Sequence, residues 1–366
     1  MADIVIAGYL GFANGGDEAL LSAVLSELRR RLPGKTVTVL SMRPRETEAH
    51  YGVRACHRYN MAAVVLEIRA ARVLVFGGGS LIQDATSRRS LWYYLSLLKI
   101  AQKHGVRTML FANGIGPLIR ESSRRRAAEV LSRVDAITLR DRDSAELLKK
   151  LGVPSDRVTV TADTAFLLSG MAGGKSTAPE ELPEGARYAV ISVRKCHGCG
   201  GIRAGENSIL RLCRYLSEEC GIAPLLMPMQ YPRDMREIDR IVKRADVPVF
   251  VRRGSFSAAD MASVLGGADV VVGMRYHMLV FAAKAGVPPV GISCDPKVET
   301  FCREMGVPSV PVTKGGVGGI DAESLCRAVR NVLADRDAIA ARVRTESERM
   351  AVRAAETVEV LAGMFE

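Results

Sequence analysis

An arginine and a histidine two positions apart follow an apolar run in "ADVVVGMRYHMLVFAAKAGVPPVG", residues 268–291. Residues 269–272 are predicted to form a buried strand and Gly273 allows a tight exit, so Arg275 and His277 fall at the start of the next helix. A guanidinium, a helix N-terminus and an imidazole that titrates near neutral pH together suit anion binding and proton transfer. The alternative is a capped helix whose arginine and histidine are merely solvated.

A second arginine, Arg194, ends the predicted strand "YAVISVR" at residues 188–194. Its planar, fixed cation suits a carboxylate or a phosphate, although a surface salt bridge is an equally simple use. The following "KCHGCGG" carries Cys196 and Cys199 in C-x-x-C spacing. Because a zinc site needs about four ligands and no second pair has suitable spacing, we predict no metal and assign this motif no role.

The glycine-rich stretch "GYLGFANGGDEALL", residues 8–21, follows the first predicted strand and opens a helix. Its glycine spacing differs from the dinucleotide fingerprint and no ribose-binding acid follows the second strand, which argues against a nicotinamide-dependent oxidoreductase. Asp17 and Glu18 fall in the first helical turn, where acids complement the helix dipole. They either cap the helix only, or one of them handles a sugar hydroxyl.

A second glycine-rich stretch, "VLVFGGGSLIQDATS" at residues 73–87, is predicted to be a strand that ends in three glycines. The glycines would let a ligand approach the backbone, and a helix starting just after them, beside Ser80, would supply free N–H groups for an anion. The alternative is an ordinary strand-to-helix turn.

These motifs must be positioned by a chain that alternates short apolar, β-branched runs with helical patterns, which predicts βαβ units and parallel sheets. The predicted strands lie at 3–9, 36–42, 73–79, 107–116, 136–141, 158–163, 188–194, 223–230, 248–253, 268–274 and 288–294. Both predicted halves are therefore of the α/β class.

Residues 169–185 are small, polar and rich in Gly and Pro, as in a linker. We predict a Rossmann-like domain at 1–168, a second at 186–340, and a terminal helix at 341–366 that packs back on the first domain. Two doubly wound parallel-sheet domains facing a central cleft would bind ligands at the carboxyl ends of their strands.

The formal net charge of +11 favours an anionic ligand or an anionic membrane surface. Aromatic residues are only 5%, and the arginines are scattered over helix faces without aromatic neighbours, which argues against nucleic-acid binding. No apolar run is long enough to span a bilayer and the N-terminus lacks a secretory signal, so we expect a cytoplasmic protein that the basic surface could hold at the inner membrane face. No feature of the sequence specifies an oligomeric state.

Several stretches, in order, resemble the polysaccharide pyruvyl transferase family, and most its CsaB-type branch. They are "GYLGFANGGDEALL", "VFGGGSLIQD", "FANGIGPL", "TLRDRDS", "ISVR", "GMRYHMLVFAAKAGVPPVG" and "CDPKV", and together they cover nearly the whole chain. The resemblance implies a GT-B-like pair of Rossmann-type domains and transfer of a pyruvyl group, without a cofactor, from phosphoenolpyruvate to a sugar as a ketal. The implied acceptor is an N-acetylmannosamine residue of a lipid-linked secondary cell-wall polysaccharide precursor, whose product anchors S-layer proteins.

The resemblance also implies roles for individual residues. Arg194, Arg275 and His277 match positions used around phosphoenolpyruvate, with His277 as general acid or phosphate ligand. Tyr276 stands where relatives often have leucine, and Lys297 would add a phosphate contact. On the acceptor side we expect Asp17 as a catalytic group and these substrate contacts: Tyr9, Asn14, Glu18, Gly78, Gly79 and Ser80.

The main alternative is a GT-B glycosyltransferase that uses a nucleotide sugar. Such enzymes usually hold the ribose with a Glu five residues before the glycine of a G-x-P turn. Counting back from Gly286 gives Phe281, which argues against this donor. A non-catalytic polysaccharide-binding protein is a second alternative, but it would not need Arg275 and His277 focused on one site.

Overall fold

A computed structural model describes residues 2–169, 178–195, 202–312 and 319–366. The chain divides into two compact units, one formed by Met1–Leu168 with Arg349–Glu366 and the other by Ser169–Glu348. Each unit is built on one sheet in which every strand pairing is parallel. The predicted α/β class with two parallel-sheet domains is therefore confirmed.

The N-terminal unit has a seven-stranded sheet. Its strands are β1 (Ile4–Ala7), β2 (Val37–Ser41), β3 (Arg54–His57), β4 (Val73–Ile82), β5 (Arg107–Ile115), β6 (Ala136–Leu139) and β7 (Val158–Val160). Its helices are α1 (Gly15–Arg31), α2 (Pro44–Tyr51), α3 (Met61–Ala70), α4 (Arg88–Lys103), α5 (Glu121–Leu131) and α6 (Arg142–Lys150). The strand order is β3-β2-β1-β4-β5-β6-β7.

Helices cover both faces of this sheet, which is why β1 is buried along its whole length. Alternate residues of β1 enter different clusters: Val5 and Ala7 pack with α3, α4 and α5, whereas Ile4 and Ile6 pack with α1. Two core layers therefore lie on opposite sides of the central strand.

The last helix, α13 (Arg336–Gly363), contributes to the second of these layers. Val358 and Leu361 are buried in the cluster that contains Ile4 and Ile6. The Thr357 and Thr161 hydroxyls lie 2.7 Å apart, and Arg353 donates to the Thr161 carbonyl at 2.7 Å. Residues 349–366 thus complete the core of the N-terminal unit.

The C-terminal unit has a six-stranded sheet in the order β10-β9-β8-β11-β12-β13. Its strands are β8 (Tyr188–Ser192), β9 (Ala223–Leu226), β10 (Phe250–Val251), β11 (Val270–Gly273), β12 (Pro289–Ser293) and β13 (Ser309–Pro311). Its helices are α7 (Ile202–Arg214), α8 (Met235–Arg244), α9 (Ala258–Gly266), α10 (Tyr276–Lys284), α11 (Pro296–Met305), α12 (Ala322–Ala334) and the first part of α13. Successive strands extend outward from β8 on one side and from β11 on the other, so a topological switch point lies between these two.

The expected helix start beside Ser80 is wrong. Strand β4 continues through the three glycines to Ile82, and the next helix, α4, begins only at Arg88 with Ser87 as its N-cap. The reason is pairing with β5, in which Gly77 lies opposite Phe111 and Gly79 opposite Asn113.

Two strands at or near the edges of the sheets, β3 and β13, were not predicted from the sequence. None of the described helices is long and apolar enough to cross a membrane.

Candidate functional site

Three cationic side chains follow the central strands of the C-terminal unit. Arg194 comes after β8, Arg275 is the N-cap of α10 after β11, and Lys297 lies in the first turn of α11 after β12. Because these strands are adjacent and parallel, their carboxyl ends place the three residues at one edge of the sheet. The switch point thus lies in a strongly basic region.

Asp234, which sequence reasoning missed, fixes the orientation of Arg275. The Arg275 guanidinium donates through Nε to Oδ2 at 3.1 Å and through Nη2 to Oδ1, which makes a bidentate ion pair. Asp234 Oδ2 also accepts the backbone N–H groups of Met229 at 3.2 Å and Gln230 at 2.9 Å. The Asp234 side chain is only 1% exposed, so the loop after β9 holds Arg275 rigidly.

Arg194 and Lys297 share a different carboxylate, Asp295. Arg194 Nη2 lies 3.5 Å and Lys297 Nζ 3.4 Å from Asp295 Oδ2, and Arg194 also donates to Cys294 Sγ at 3.5 Å. Burial opposes ionisation of Asp295, but Lys297 and Arg194 outweigh it and hold the pKa of this carboxyl below its ordinary value. Asp295 therefore stays ionised at neutral pH and anchors both cations.

The three cations of this cluster share two carboxylates. Asp234 pairs with Arg275, and Asp295 pairs with both Arg194 and Lys297. Among the described residues, buried Arg194 Nε has no hydrogen-bond partner and no side chain caps the N-terminus of α10. A buried guanidinium donor and open helix N–H groups at one edge can receive an anion.

His277 lies in the first turn of α10, two residues after Arg275. Its ring is edge-on to Tyr276 at 5.1 Å and nearly parallel to the buried Phe281 at 6.2 Å between ring centroids. Tyr276 in turn meets Phe301 edge-to-face at 5.7 Å. The contacts with Tyr276 and Phe281 restrict the orientation of the imidazole ring. Phe281 occupies the position at which a nucleotide-sugar glycosyltransferase would usually have its ribose-binding acid.

In the N-terminal unit, the loop after β1 treats its two acids differently. Glu18 accepts the Gly11 N–H at 2.9 Å and the Tyr51 hydroxyl at 3.0 Å, so both carboxylate oxygens already stabilise local structure. Asp17 accepts a hydrogen bond from Asn14 Nδ2, and Asn14 Oδ1 caps α1 through the Gly16 N–H. The arrangement makes Glu18 a residue that shapes the loop.

Close packing between β4 and α1, around Asp17, explains why residues 78 and 79 are glycines. Gly78 and Gly79 have φ values of +81° and +77°, which side chains rarely adopt. A Cβ on Gly79 would lie 3.3 Å from Asp17 Oδ1, and one on Gly78 would lie 3.2 Å from Leu20. The glycines therefore let β4 approach α1 closely enough to put Asp17 beside its backbone.

Ser80 and Tyr9 complete the residues expected on this side. Ser80 Oγ accepts from Arg140 Nη2 at 2.8 Å, and Arg140 Nη1 donates to Asp163 at 3.1 Å, so Ser80 belongs to a polar network. Tyr9 stacks on Phe12 with ring centroids 4.1 Å apart and an interplanar angle of 5°. The stacked pair gives the loop a rigid aromatic surface.

Arg58, which sequence reasoning did not single out, lies in the same region. It is 3% exposed, donates to the Gly8 carbonyl at 2.8 Å and to the Tyr94 hydroxyl at 3.2 Å, and leaves a buried Nε without a partner among the described residues. Four rings lie 4.6–5.4 Å from its guanidinium carbon: Phe12, Tyr59, Tyr93 and Tyr94. Arg58 thus links the β1 loop to α4 through cation–π contacts.

The structure divides the predicted site residues between the two units. Arg194, Arg275, Tyr276, His277 and Lys297 come together in the C-terminal unit; the others, Tyr9, Asn14, Asp17, Glu18, Gly78, Gly79 and Ser80, lie in the N-terminal unit. Their roles toward substrate stay predictions. Within the described ranges no group of three or more His, Cys, Asp or Glu side chains could hold a metal ion, and Cys196 and Cys199 lie outside those ranges.

The fold matches solved structures along nearly the whole chain. UDP-GlcNAc 2-epimerase from Neisseria meningitidis, solved with UDP-GlcNAc, is 12% identical, with 98% of each chain covered and a TM-score of 0.65. Anabaena Alr3699/HepE, solved with UDP-glucose, is 13% identical, covers 98% of this chain and 99% of its own, and has a TM-score of 0.64. At these identities the likeness shows the GT-B-like fold alone.

Sequence comparison identifies the family. The amylovoran biosynthesis protein AmsJ of Erwinia amylovora is 23% identical in an alignment over 263 residues, and the match covers 64% of this chain but only 59% of AmsJ. The family model for polysaccharide pyruvyl transferase matches residues 14–296, a range that contains the second glycine-rich stretch, the first one from Asn14 onward, and the Arg194, Arg275 and His277 positions. The chain therefore belongs to the polysaccharide pyruvyl transferase family.

Proposed function

We propose that this protein transfers a pyruvyl group from phosphoenolpyruvate to a sugar, forming a pyruvate ketal and releasing phosphate. The observation that carries the proposal is the cluster of Arg194, Arg275 and Lys297 at the carboxyl ends of three adjacent strands, with His277 in the following helical turn. Family membership supports pyruvyl transfer as the reaction.

The donor fits the charge of the cluster. Phosphoenolpyruvate carries a carboxylate and a phosphate, which require two separate groups of donors. We assign one anionic group to Arg275 and the N-terminus of α10, and the other to Arg194 and Lys297. Arg275 would offer its Nη1 group to the anion, because its Nε and Nη2 already bind Asp234. Asp234 and Asp295 remain behind the cations as their anchors.

The reaction balances with one proton donor and one proton acceptor. A proton adds to the methylene carbon of phosphoenolpyruvate, one sugar hydroxyl attacks the cationic carbon that results, phosphate leaves, and a second hydroxyl closes the ketal. Of the two hydroxyl protons, one replaces the proton delivered to carbon and the other leaves with phosphate. We assign delivery to His277, whose side chain is held edge-on to Tyr276, and general acid catalysis of this kind contributes about 100- to 10,000-fold.

The acceptor is proposed to bind on the side of the N-terminal unit, with Asp17 as the base that receives a hydroxyl proton. Asp17 is the better candidate because both oxygens of Glu18 already hold the loop and Tyr51. Tyr9, stacked on Phe12, offers an aromatic face for a sugar ring. We propose that the acceptor is N-acetylmannosamine in a lipid-linked precursor of a secondary cell-wall polysaccharide. The pyruvylated polysaccharide would anchor S-layer proteins, and the reaction would take place at the inner face of the membrane.

The test is to incubate the protein with phosphoenolpyruvate and a synthetic N-acetylmannosaminyl-N-acetylglucosamine acceptor. We expect acceptor-dependent phosphate release and a product with the mass of one added pyruvyl group. Arg194→Ala should abolish both, while Arg187→Ala should leave both unchanged because Arg187 forms an exposed ion pair with Asp269 before β8. Transfer from a UDP-sugar to the same acceptor, without reaction of phosphoenolpyruvate, would contradict the proposal.

A further inference from the structure

The layer of α3, α4 and α5 carries exposed apolar side chains at one end. Four of the large hydrophobic residues exposed in the described part of the chain lie just before or at the start of these helices: Tyr59 (56% exposed), Met61 (39%), Trp92 (39%) and Ile119 (61%). Helix α4 packs against α3 on one side and α5 on the other. The four side chains therefore belong to the same end of one helical layer.

Arginines surround these apolar side chains. Exposed arginines begin α4 and α5 or immediately precede α5: Arg88, Arg89, Arg120, Arg124, Arg125 and Arg126. The Trp92 ring lies 4.2 Å from the Arg88 guanidinium carbon and 5.3 Å from that of Arg126. The sequence shows no aromatic residues interleaved with these arginines, but folding brings Arg126 of α5 onto the tryptophan of α4.

Most of this charge is not neutralised within the protein. Arg120 lies 3.6 Å from Asp84, and Arg124 Nε donates to the Leu118 carbonyl. Arg88, Arg89, Arg125 and Arg126 form no ion pair with any carboxylate of the described residues. Cations placed at helix N-termini also oppose the helix dipole, so local helix stability does not explain their position.

We infer that this surface, defined by Tyr59, Met61, Trp92, Ile119 and the six arginines, docks onto an anionic phospholipid bilayer. Tryptophan, tyrosine and isoleucine beside arginines form the combination that inserts shallowly at a membrane interface while the guanidinium groups contact lipid phosphates. A nucleic acid would be expected to use stacked, accessible rings along a groove, whereas the Trp92 ring already contacts the guanidinium groups of Arg88 and Arg126.

The position of this surface has a consequence that rests on the proposed function. The starts of α3, α4 and α5 follow the carboxyl ends of β3, β4 and β5, the edge of the sheet that also carries Ser80 and the β1 loop. A bilayer bound there would bring a lipid-linked saccharide to the side of the unit where the acceptor is proposed to bind.

The experiment is co-sedimentation of the full chain with phosphatidylcholine vesicles with and without phosphatidylglycerol. We expect binding only to the anionic vesicles. The variant Arg88→Gln/Trp92→Ala/Arg126→Gln should bind them about tenfold or more weakly, since each basic residue near an anionic surface adds to the free energy of binding. The matched control, Arg45→Gln/Arg69→Gln/Tyr231→Ala, removes two exposed arginines and one exposed tyrosine elsewhere and should bind like the unchanged protein.

Assays of pyruvyl transfer with soluble and lipid-linked acceptors distinguish a failure of this inference from a failure of the proposed function. With a soluble saccharide acceptor the triple variant should keep full pyruvyl transfer, while transfer to a lipid-linked acceptor in anionic vesicles should fall with vesicle binding. Equal binding to neutral vesicles, equal loss in the control variant, or a preference for single-stranded DNA over anionic vesicles that the triple variant abolishes would overturn the inference. None of these results depends on whether phosphoenolpyruvate is the donor.

Discussion

Replacing Asp234 with asparagine tests whether the proposed anion-binding cluster of Arg194, Arg275 and Lys297 depends on the buried ion pair between Asp234 and Arg275. In the present arrangement Asp234 Oδ2 accepts from Met229, Gln230 and Arg275 Nε, and Oδ1 accepts from Arg275 Nη2. If the asparagine oxygen takes the Oδ2 position, it preserves three of these bonds. Its NH2 group then faces the Nη2 donor, so one charge-assisted hydrogen bond becomes a contact between two donors.

The magnitude follows from burial. Losing a hydrogen bond to a charged group costs about 1.5–3 kcal/mol, and removing one partner of a buried ion pair costs about 3–5 kcal/mol. Because the Arg275 side chain is 15% exposed and keeps one bond to the amide oxygen, we expect a loss of about 2–3 kcal/mol in the stability of the C-terminal unit. We also expect kcat/KM for phosphoenolpyruvate to fall about tenfold or more, since a freed guanidinium no longer holds its orientation.

Hydrogen exchange at β9, β11 and the loop after β9 is the suitable stability assay, because the single tryptophan, Trp92, reports on the N-terminal unit. The matched control is Asp239→Asn on the same α8 helix. Its partner Arg253 is 56% exposed and Asp239 is 41% exposed, so this change should cost less than about 1 kcal/mol.

A double-mutant cycle with Arg275→Gln decides the interpretation. If the two side chains act as one ion pair, their combined effect should differ from the sum of the single effects by more than about 1 kcal/mol, whereas independent sites add within about 0.5 kcal/mol. Additive stability losses, or an Asp234→Asn enzyme with unchanged kcat/KM, would refute the anchoring role.

His277→Asn should lower kcat about 100- to 10,000-fold while calorimetry still detects phosphoenolpyruvate binding; lost binding would instead make His277 a phosphate ligand. Gly79→Ala should destabilise the N-terminal unit by about 1 kcal/mol more than Gly105→Ala in urea unfolding, since both residues have positive φ but only the Gly79 site is crowded; equal effects would refute crowding. Burial raises the pKa of the Cys302 thiol to about 12, so it should stay protonated and resist iodoacetamide at pH 8. Half-buried Cys294 should be alkylated, and phosphoenolpyruvate should slow its labelling in peptide mass maps; unchanged labelling would place the donor elsewhere.

The strands that are buried on both faces could be predicted from the sequence, because short continuous apolar runs such as the one in β11 are typical of parallel strands covered by helices on both sides. It did not predict β3 or β13. Strand β3 reads "RACH" and is exposed or half-buried at every position, so its conformation depends on pairing with β2 at the sheet edge. Such pairing is a long-range property that local composition does not encode.

The same distinction applies to the candidate site. Arg275 and His277 stand out locally because a glycine exit and a helix start surround them. Asp234 does not, since only the fold brings the loop after β9 to within hydrogen-bond distance of Arg275. Arg58 is similar: Tyr59 is its neighbour in the chain, but Phe12, Tyr93 and Tyr94 come from two segments that are distant in sequence.

The contribution of α13 to the N-terminal core has a consequence for synthesis on the ribosome. Val358 and Leu361, which share a core cluster with Ile4 and Ile6, are translated after residues 1–168 and after the second unit. Helix α1 already covers part of this face of the first sheet, but the part that α13 fills stays open while Ser169–Glu348 is made. During that interval its apolar surface is available to chaperones or to other nascent chains, and folding of the first unit can finish only when translation is nearly complete.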